Sequence, residues 1–124
     1  MLLDMRKLIK ILKISDLSVS QCQTLDIPYK NSIFELLVVC FAPDKIAAYL
    51  NHCPHTGVNL NWQQNQCFDY SQRYLACSVH GALFQPDDGK CIYGPCVGQS
   101  LVAVELIIEN DSIFIDPNCI GEDL

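Results

Sequence analysis

Short apolar runs separated by turn-forming residues predict an all-β fold, an antiparallel β-sandwich or barrel with a small subdomain of two loops at one end. Three observations carry that expectation. Ser32 to Phe41 is dense in Ile, Leu, Val and Phe, as a buried strand requires. Turn signals at Pro43-Asp44, Pro86-Asp87-Asp88-Gly89 and Asn110-Asp111 fall between such runs. No convincing helical periodicity follows residue 20. The 124 residues suit one domain, 1–124, able to bury roughly two-thirds of its unfolded surface. There is no internal repeat.

Taken in order, Leu8 to Ile14 alternates imperfectly and reads as a first strand, with a short amphipathic helix over residues 1–14 as the other option. Ser15 to Ser20 reads as a turn or link. Ser32 to Phe41 and Ile46 to Leu50 make a hairpin through Ala42-Pro43-Asp44-Lys45. Asn59 to Ser71 is polar loop, and Arg73 to Ala76 and Ala82 to Gln85 are short strands. Gly89 closes its turn where a positive φ is expected. Leu101 to Ile108 and Ser112 to Ile115 form a last hairpin.

The charge is uneven. Residues 1–13 hold four basic groups and one acidic, a local +3. From Ile14 onward Lys30, Lys45, Arg73 and Lys90 face thirteen acidic groups, and the whole chain is −6. Such an acidic body argues against nucleic acid, whose phosphates would repel it. It suits docking against a basic patch on a protein partner, or simply solubility. No apolar run spans a bilayer. Lysines and Arg6 interrupt the apolar N-terminus, so no signal peptide and no membrane span are expected and the cytoplasm is the expected compartment.

Eight cysteines in a chain of this length do not suggest a secreted disulfide scaffold. Cys22 and Cys40 lie in apolar stretches and are expected to be small buried residues. Cys91 and Cys96 are expected to pack near the second of the two stretches described next, with spare ligands or a disulfide as the other option. Cys67 and Cys119 sit near turns without an assigned role.

Two stretches carry chemistry: Cys53-Pro54-His55-Thr56-Gly57 and Cys77-Ser78-Val79-His80-Gly81. Each supplies a thiol and an imidazole, together a complete four-ligand set for a metal. Cys53 and His55 share one side of an extended segment, and Cys77 and His80 converge where the chain turns. A Cys2His2 zinc site is one reading of this set. His52 reads as a surface histidine.

C-x-H-x-G followed by C-x-x-H-G resembles the Rieske [2Fe-2S] signature. Gly81-Ala82-Leu83-Phe84, Asp88-Gly89 and Gly94-Pro95-Cys96 resemble further elements of small Rieske-type ferredoxins. The likeness runs from about Ile9 to Asp116, with a cluster-binding region of about 51–96. Twenty-one residues separate His55 from Cys77, longer than the commonest family spacing.

The resemblance implies a Rieske-like fold, one [2Fe-2S] cluster, Cys53 and Cys77 on one iron, and His55 and His80 on the other. Where high-potential members carry a loop disulfide, this chain has Val58 and Val79; where they carry hydroxyl donors, it has Ala82 and Phe84. The low end of the family range of about −150 to +300 mV is therefore expected. Deprotonation of the ligand imidazoles is expected to lower the potential further at alkaline pH.

With three histidines in all, the chain cannot also build the mononuclear iron site of a Rieske oxygenase, and it has no dinucleotide-binding glycine motif. The resemblance thus implies a soluble electron-transfer protein, not catalytic alone, carrying one electron from a reductase to a terminal oxygenase or similar enzyme. A cluster-bearing small subunit of a larger oxidoreductase, such as a nitrite reductase, is the alternative, and a zinc-stabilised binding module is a further one.

Overall fold

The computed structural model describes residues 8–19, 21–29, 32–43, 45–51, 67–69, 71, 73–76, 81–94 and 97–116, and these residues form three antiparallel three-stranded sheets. The strands are β1 (Ile9–Lys13), β2 (Gln21–Tyr29), β3 (Ser32–Ala42), β4 (Lys45–Leu50), β5 (Leu75–Ala76), β6 (Leu83–Phe84), β7 (Cys91–Tyr93), β8 (Ile107–Glu109) and β9 (Ser112–Ile115). The central sheet runs β2-β3-β4, a second runs β1-β9-β8, and a small one runs β5-β6-β7. The expected all-β antiparallel class is what the structure has.

The apolar run of β3 explains the layering. Successive side chains of a strand point to opposite faces, and here both faces are covered. Leu37 and Val39 pack with Tyr49, Leu75, Phe84 and Leu101, which joins the central sheet to the small sheet. Leu36 and Val38 pack with Ala48, Leu50, Val104 and Ile115, which joins it to the β1-β9-β8 sheet. Leu36 to Val39 are wholly excluded from solvent. A strand between two layers reads as a continuous apolar run, whereas a strand with one wet face alternates.

β2 belongs to the second kind and has no counterpart among the sequence-derived elements. Among the described residues it is an edge strand, paired there only with β3, and it exposes Gln21, Thr24 and Asp26 while burying Cys22 and Ile27. Pro28 is tolerated there because an edge strand has one side without partners. β7 also has no sequence-derived counterpart; three residues of a short sheet leave little pattern to read.

The expected strand over Leu101 to Ile108 is corrected. Only Ile107–Glu109 joins a sheet. Upstream, Leu50 N–H donates to the Val102 carbonyl and Val104 N–H to that of Ala48, both at 2.9 Å, beside an isolated bridge between Tyr49 and Ala103. The segment crosses from one core to the other, Leu101 packing in the first and Val102 and Val104 in the second, so it cannot keep one sheet register.

The other turns fall as expected. Pro43 lies in the β3–β4 turn, with a bulge between Cys40 and Ala42. Asn110 takes φ 58° in the two-residue turn joining β8 to β9, a conformation that asparagine tolerates well. After β1 a short 3-10 turn, Ile14–Asp16, docks on that same corner: Ile14 N–H donates to the Asp111 carbonyl at 2.8 Å and Ser15 Oγ to the Asp111 carboxylate at 2.6 Å. The N-terminal segment is thus strand rather than helix from Ile9; residues 1–7 lie outside the described ones.

Cys22 is buried as expected, but not as a free thiol. It forms a disulfide with Cys67, 45 residues away, within the first core. The bond ties edge strand β2 to the chain entering the small sheet, where Ala76 N–H donates to the Cys67 carbonyl at 2.7 Å. Cys40 is buried as expected, and Cys91 is buried in the first core. No helix among the described residues is long and apolar enough to cross a membrane.

Closing a 45-residue loop is worth about 4 kcal/mol in the chain-entropy account. A Cys22→Ala/Cys67→Ala double variant is expected to unfold at lower urea concentration by roughly that amount, and thiol counting of the unreduced, unfolded parent should find both sulfurs blocked.

Tyr49 is buried on β4, and its hydroxyl donates to the Pro86 carbonyl at 2.7 Å. Burial first, then the nearby charges of Asp88 and Asp87, push the phenol well above its usual value of 10.0. The unfolded chain ionises this group near pH 10 while the folded chain holds it neutral, so its contribution is full at neutral pH and is lost as pH rises beyond 10. Tyr49→Phe is expected to cost about 1 kcal/mol at neutral pH and to lose less than the parent when urea midpoints are compared between neutral and strongly alkaline solution.

Candidate metal centre

Both ligand-bearing stretches begin where a strand ends. The first follows β4. Asn51, buried directly after Leu50, holds that exit: its N–H donates to the Glu35 carbonyl at 2.9 Å and its side-chain amide donates to the Glu35 carboxylate. The polypeptide is thereby pinned to β3 two residues before Cys53. The second stretch is the connection between β5 and β6, since Ala76 pairs with Leu83. It closes on Gly81 at φ 66°, a conformation that glycine adopts without strain.

Cys53, His55, Cys77 and His80 themselves lie outside the described residues, as do His52, Val58, Val79, Cys96 and Cys119. Among the described residues no group of three or more His, Cys, Asp or Glu is placed to hold a metal. What the structure describes is the frame from which the stretches carrying the four candidate ligands depart.

That frame is tight on one side. Gly94, at φ 106°, passes directly over Ala82; a Cβ there would lie 2.9 Å from the Ala82 Cα. The turn after β7 therefore packs against the return of the second stretch, two residues beyond His80. Ala82 and Phe84, the positions without hydroxyls, are buried in the first core. Gly94 stands in the Gly-Pro element noted in the sequence, which was its only signal. Asn51 and Glu35 had none, because a buried amide–carboxylate pair 16 residues apart leaves no local pattern.

At the opposite end of the small sheet lie two charged turns. In one, Asp69 accepts from Ser71 Oγ and from the N–H groups of Arg73 and Tyr74, at 2.9 to 3.2 Å. The other carries Asp87, Asp88 and Lys90, with Lys90 N–H donating to Asp88 at 2.9 Å. Between them is an open cleft of about 400 Å³ lined by Phe41, Arg73, Tyr74, Gln85, Pro86 and Asp87.

The closeness of Gly94 to Ala82 gives a paired test. Gly94→Ala and Gly98→Ala both place a side chain at strongly positive φ, but the space around Gly98 is open. Gly94→Ala is expected to be the more destabilising by about 1–3 kcal/mol in urea unfolding.

Comparison with known proteins agrees with this frame. No curated protein matches the sequence. The ferredoxin of carbazole 1,9a-dioxygenase from Nocardioides aromaticivorans IC177 superposes with a TM-score of 0.62 at 18% identity, covering 88% of this chain and 96% of that one. A chain described as a nitrite reductase NADPH small subunit gives 0.59 at 10% identity, covering 88% and 97%. The quaternary ammonium Rieske monooxygenase CntA in complex with its substrate gamma-butyrobetaine gives 0.69 at 16% identity over 90% of this chain but only 32% of the monooxygenase. These likenesses establish the fold. The sequence itself matches the Rieske [2Fe-2S] domain family over residues 8–108, and the chain belongs to that family.

Proposed function

We propose that the chain is a one-electron carrier, with Cys53 and Cys77 holding one iron of a [2Fe-2S] cluster and His55 and His80 the other. The observation that carries this reading is the donor set. Two thiols and two imidazoles, on stretches that leave β4 and β5 in a chain of this family, match the mixed ligation of a Rieske centre. Such a cluster, when bound, takes up and releases a single electron. The protein's own contribution is to hold the ligands. Asn51 and Glu35 fix the exit toward Cys53, and the Gly94–Ala82 contact fixes the return from His80.

Similarity over nearly the whole length of a dioxygenase ferredoxin supports a carrier between a reductase and a terminal oxygenase. Similarity over nearly the whole of a chain described as a nitrite reductase small subunit supports the second reading, a cluster-bearing subunit of a larger oxidoreductase. A carrier is recovered as a free protein, and a subunit co-purifies with its enzyme in fixed ratio.

The test is absorption and electron paramagnetic resonance of anaerobically purified protein before and after dithionite. A rhombic signal of low average g on reduction is expected, lost in His80→Cys and in Cys77→Ala. The midpoint potential is expected at the low end, about −150 to 0 mV, because Ala82 and Phe84 offer no hydroxyl. A colourless, zinc-containing protein would overturn the proposal.

A further inference from the structure

Backbone pairing joins the central sheet to the small sheet through one stretch of chain. Leu50 N–H donates to the Val102 carbonyl and Val104 N–H to that of Ala48. Just upstream, Cys91 N–H donates to the Gln99 carbonyl and Leu101 N–H to that of Gly89, each at 2.9 Å. Residues 99–104 thus follow β7 and the turn before it at one end and β4 at the other. On the far side of the small sheet, Ala76 N–H donates to the Cys67 carbonyl and Asp69 N–H to that of Tyr74, which sets the strip 67–69 beside β5. The run is then β2, β3, β4, 99–104, β7, β6, β5 and 67–69, and its two ends meet at the Cys22–Cys67 disulfide. Each member contributes a side chain to the first core, Cys22 at one end of the run and Cys67 at the other. The first core is the inside of a ring that one covalent bond closes.

The closing seam has little else to hold it. Among the described residues β2 pairs with β3 and the strip 67–69 with β5, and no backbone ladder joins the two edges. Cys22, Thr24, Asp26 and Pro28 share one face of β2. Cys22 packs in the first core, whereas the other three are exposed to solvent. The opposite face, with Leu25 and Ile27, packs in the second core. Among the described residues, β2 therefore reaches the first core through Cys22 alone.

Cys22 is 3% exposed and Cys67 1%, so a reductant meets neither sulfur while the seam is shut. Of the two edges the strip is the weaker. β2 is paired with β3 along its whole length, while the strip is held to β5 by two hydrogen bonds and the bridge from Phe68 to Leu75. Its departure uncovers the two cysteines and part of Phe68, and leaves the ladders of the ring intact. Openings of this local kind cost less than unfolding of the whole chain.

We propose that the Cys22–Cys67 pair is a reversible modification site, reduced by dithiols through local parting of this seam rather than through global unfolding. One thiolate of the dithiol attacks a sulfur of the pair, forming a mixed disulfide and releasing the other cysteine as a thiolate. The second thiol of the reductant then displaces the bound cysteine and closes its own disulfide. In total two electrons and two protons pass from the dithiol to the protein. Reduction also removes an anchor. Asn51 is tied to Glu35 on β3 and Cys67 to Cys22 on β2, so the chain from 51 to 67 is held at both ends by one hairpin. Opening the pair leaves the hold at Asn51 and releases the hold at Cys67. The proposal goes beyond the carrier reading and does not depend on it.

Reduction of the intact protein by dithiothreitol tests this, with acid quench, alkylation and mass spectrometry to follow Cys22 and Cys67. The rate is expected to rise in proportion to dithiothreitol, and its logarithm to depend on urea with less than about half the slope of equilibrium unfolding. A slope of half or more, or no reduction below the unfolding transition, would sink the idea. Amide hydrogen exchange of the oxidised and reduced protein gives a second readout. The amides of Asp69 and Ala76 should be accelerated by reduction at least about tenfold more than those of Leu50 and Val104. Acceleration no larger at the first two than at the second two would mean a general loosening, and would equally refute a local seam.

Discussion

Burial of β3 on both faces is the constraint on which the other layers depend. Leu37 and Val39 serve one core and Leu36 and Val38 the other, so neither the small sheet nor the β1-β9-β8 sheet can shift without exposing apolar surface on the strand between them. β4 repeats the arrangement, with Tyr49 facing the first core and Ala48 and Leu50 the second. Because the first ligand-bearing stretch continues β4 and the second departs from the small sheet, both are referred to the same buried strand. Removing a large β3 side chain would leave a cavity in the layer contact that sets one stretch against the other.

What could be read from the sequence followed from locality. The run Ser32 to Phe41 announced a buried strand, and Pro43, Gly89 and Asn110 announced turns, since each acts on its own few residues. The candidate donors were picked out by type and spacing alone, and they lie outside the described residues. Pairings made across the fold were not. Nothing adjacent to Cys22 points to Cys67, nor anything near Asn51 to Glu35. β2 escaped because Gln21, Thr24, Asp26 and Pro28 give it the composition of a loop, and only its place at the edge of the sheet makes that composition acceptable. The run from Leu101 misled for the converse reason: it is apolar enough for a strand, but it divides its side chains between two cores.

The small sheet has the charged turns at one end and the second ligand-bearing stretch at the other. The hydrogen-bonded turns at Asp69 and Asp88 provide solvation at one end, and the glycine-rich corner of Gly81, Gly94 and Gly98 lets the backbone run close at the other. Tyr49 links the two parts. It stands on β4, the strand leading to the first pair of candidate ligands, and its hydroxyl and ring hold the charged turn through Pro86 and Gly89.

Pro28 has a consequence beyond its own strand. A free sheet edge presents alternating donors and acceptors to which an extended segment of another molecule can add, and this is how edge strands seed polymerisation. Proline lacks the donor, and Asp26 beside it brings charge. The outer side of β2 is therefore a poor template for a foreign strand, and the disulfide at Cys22 keeps the same strand from peeling away to exchange with another copy. An edge blocked and tethered in this way limits association of one copy with another.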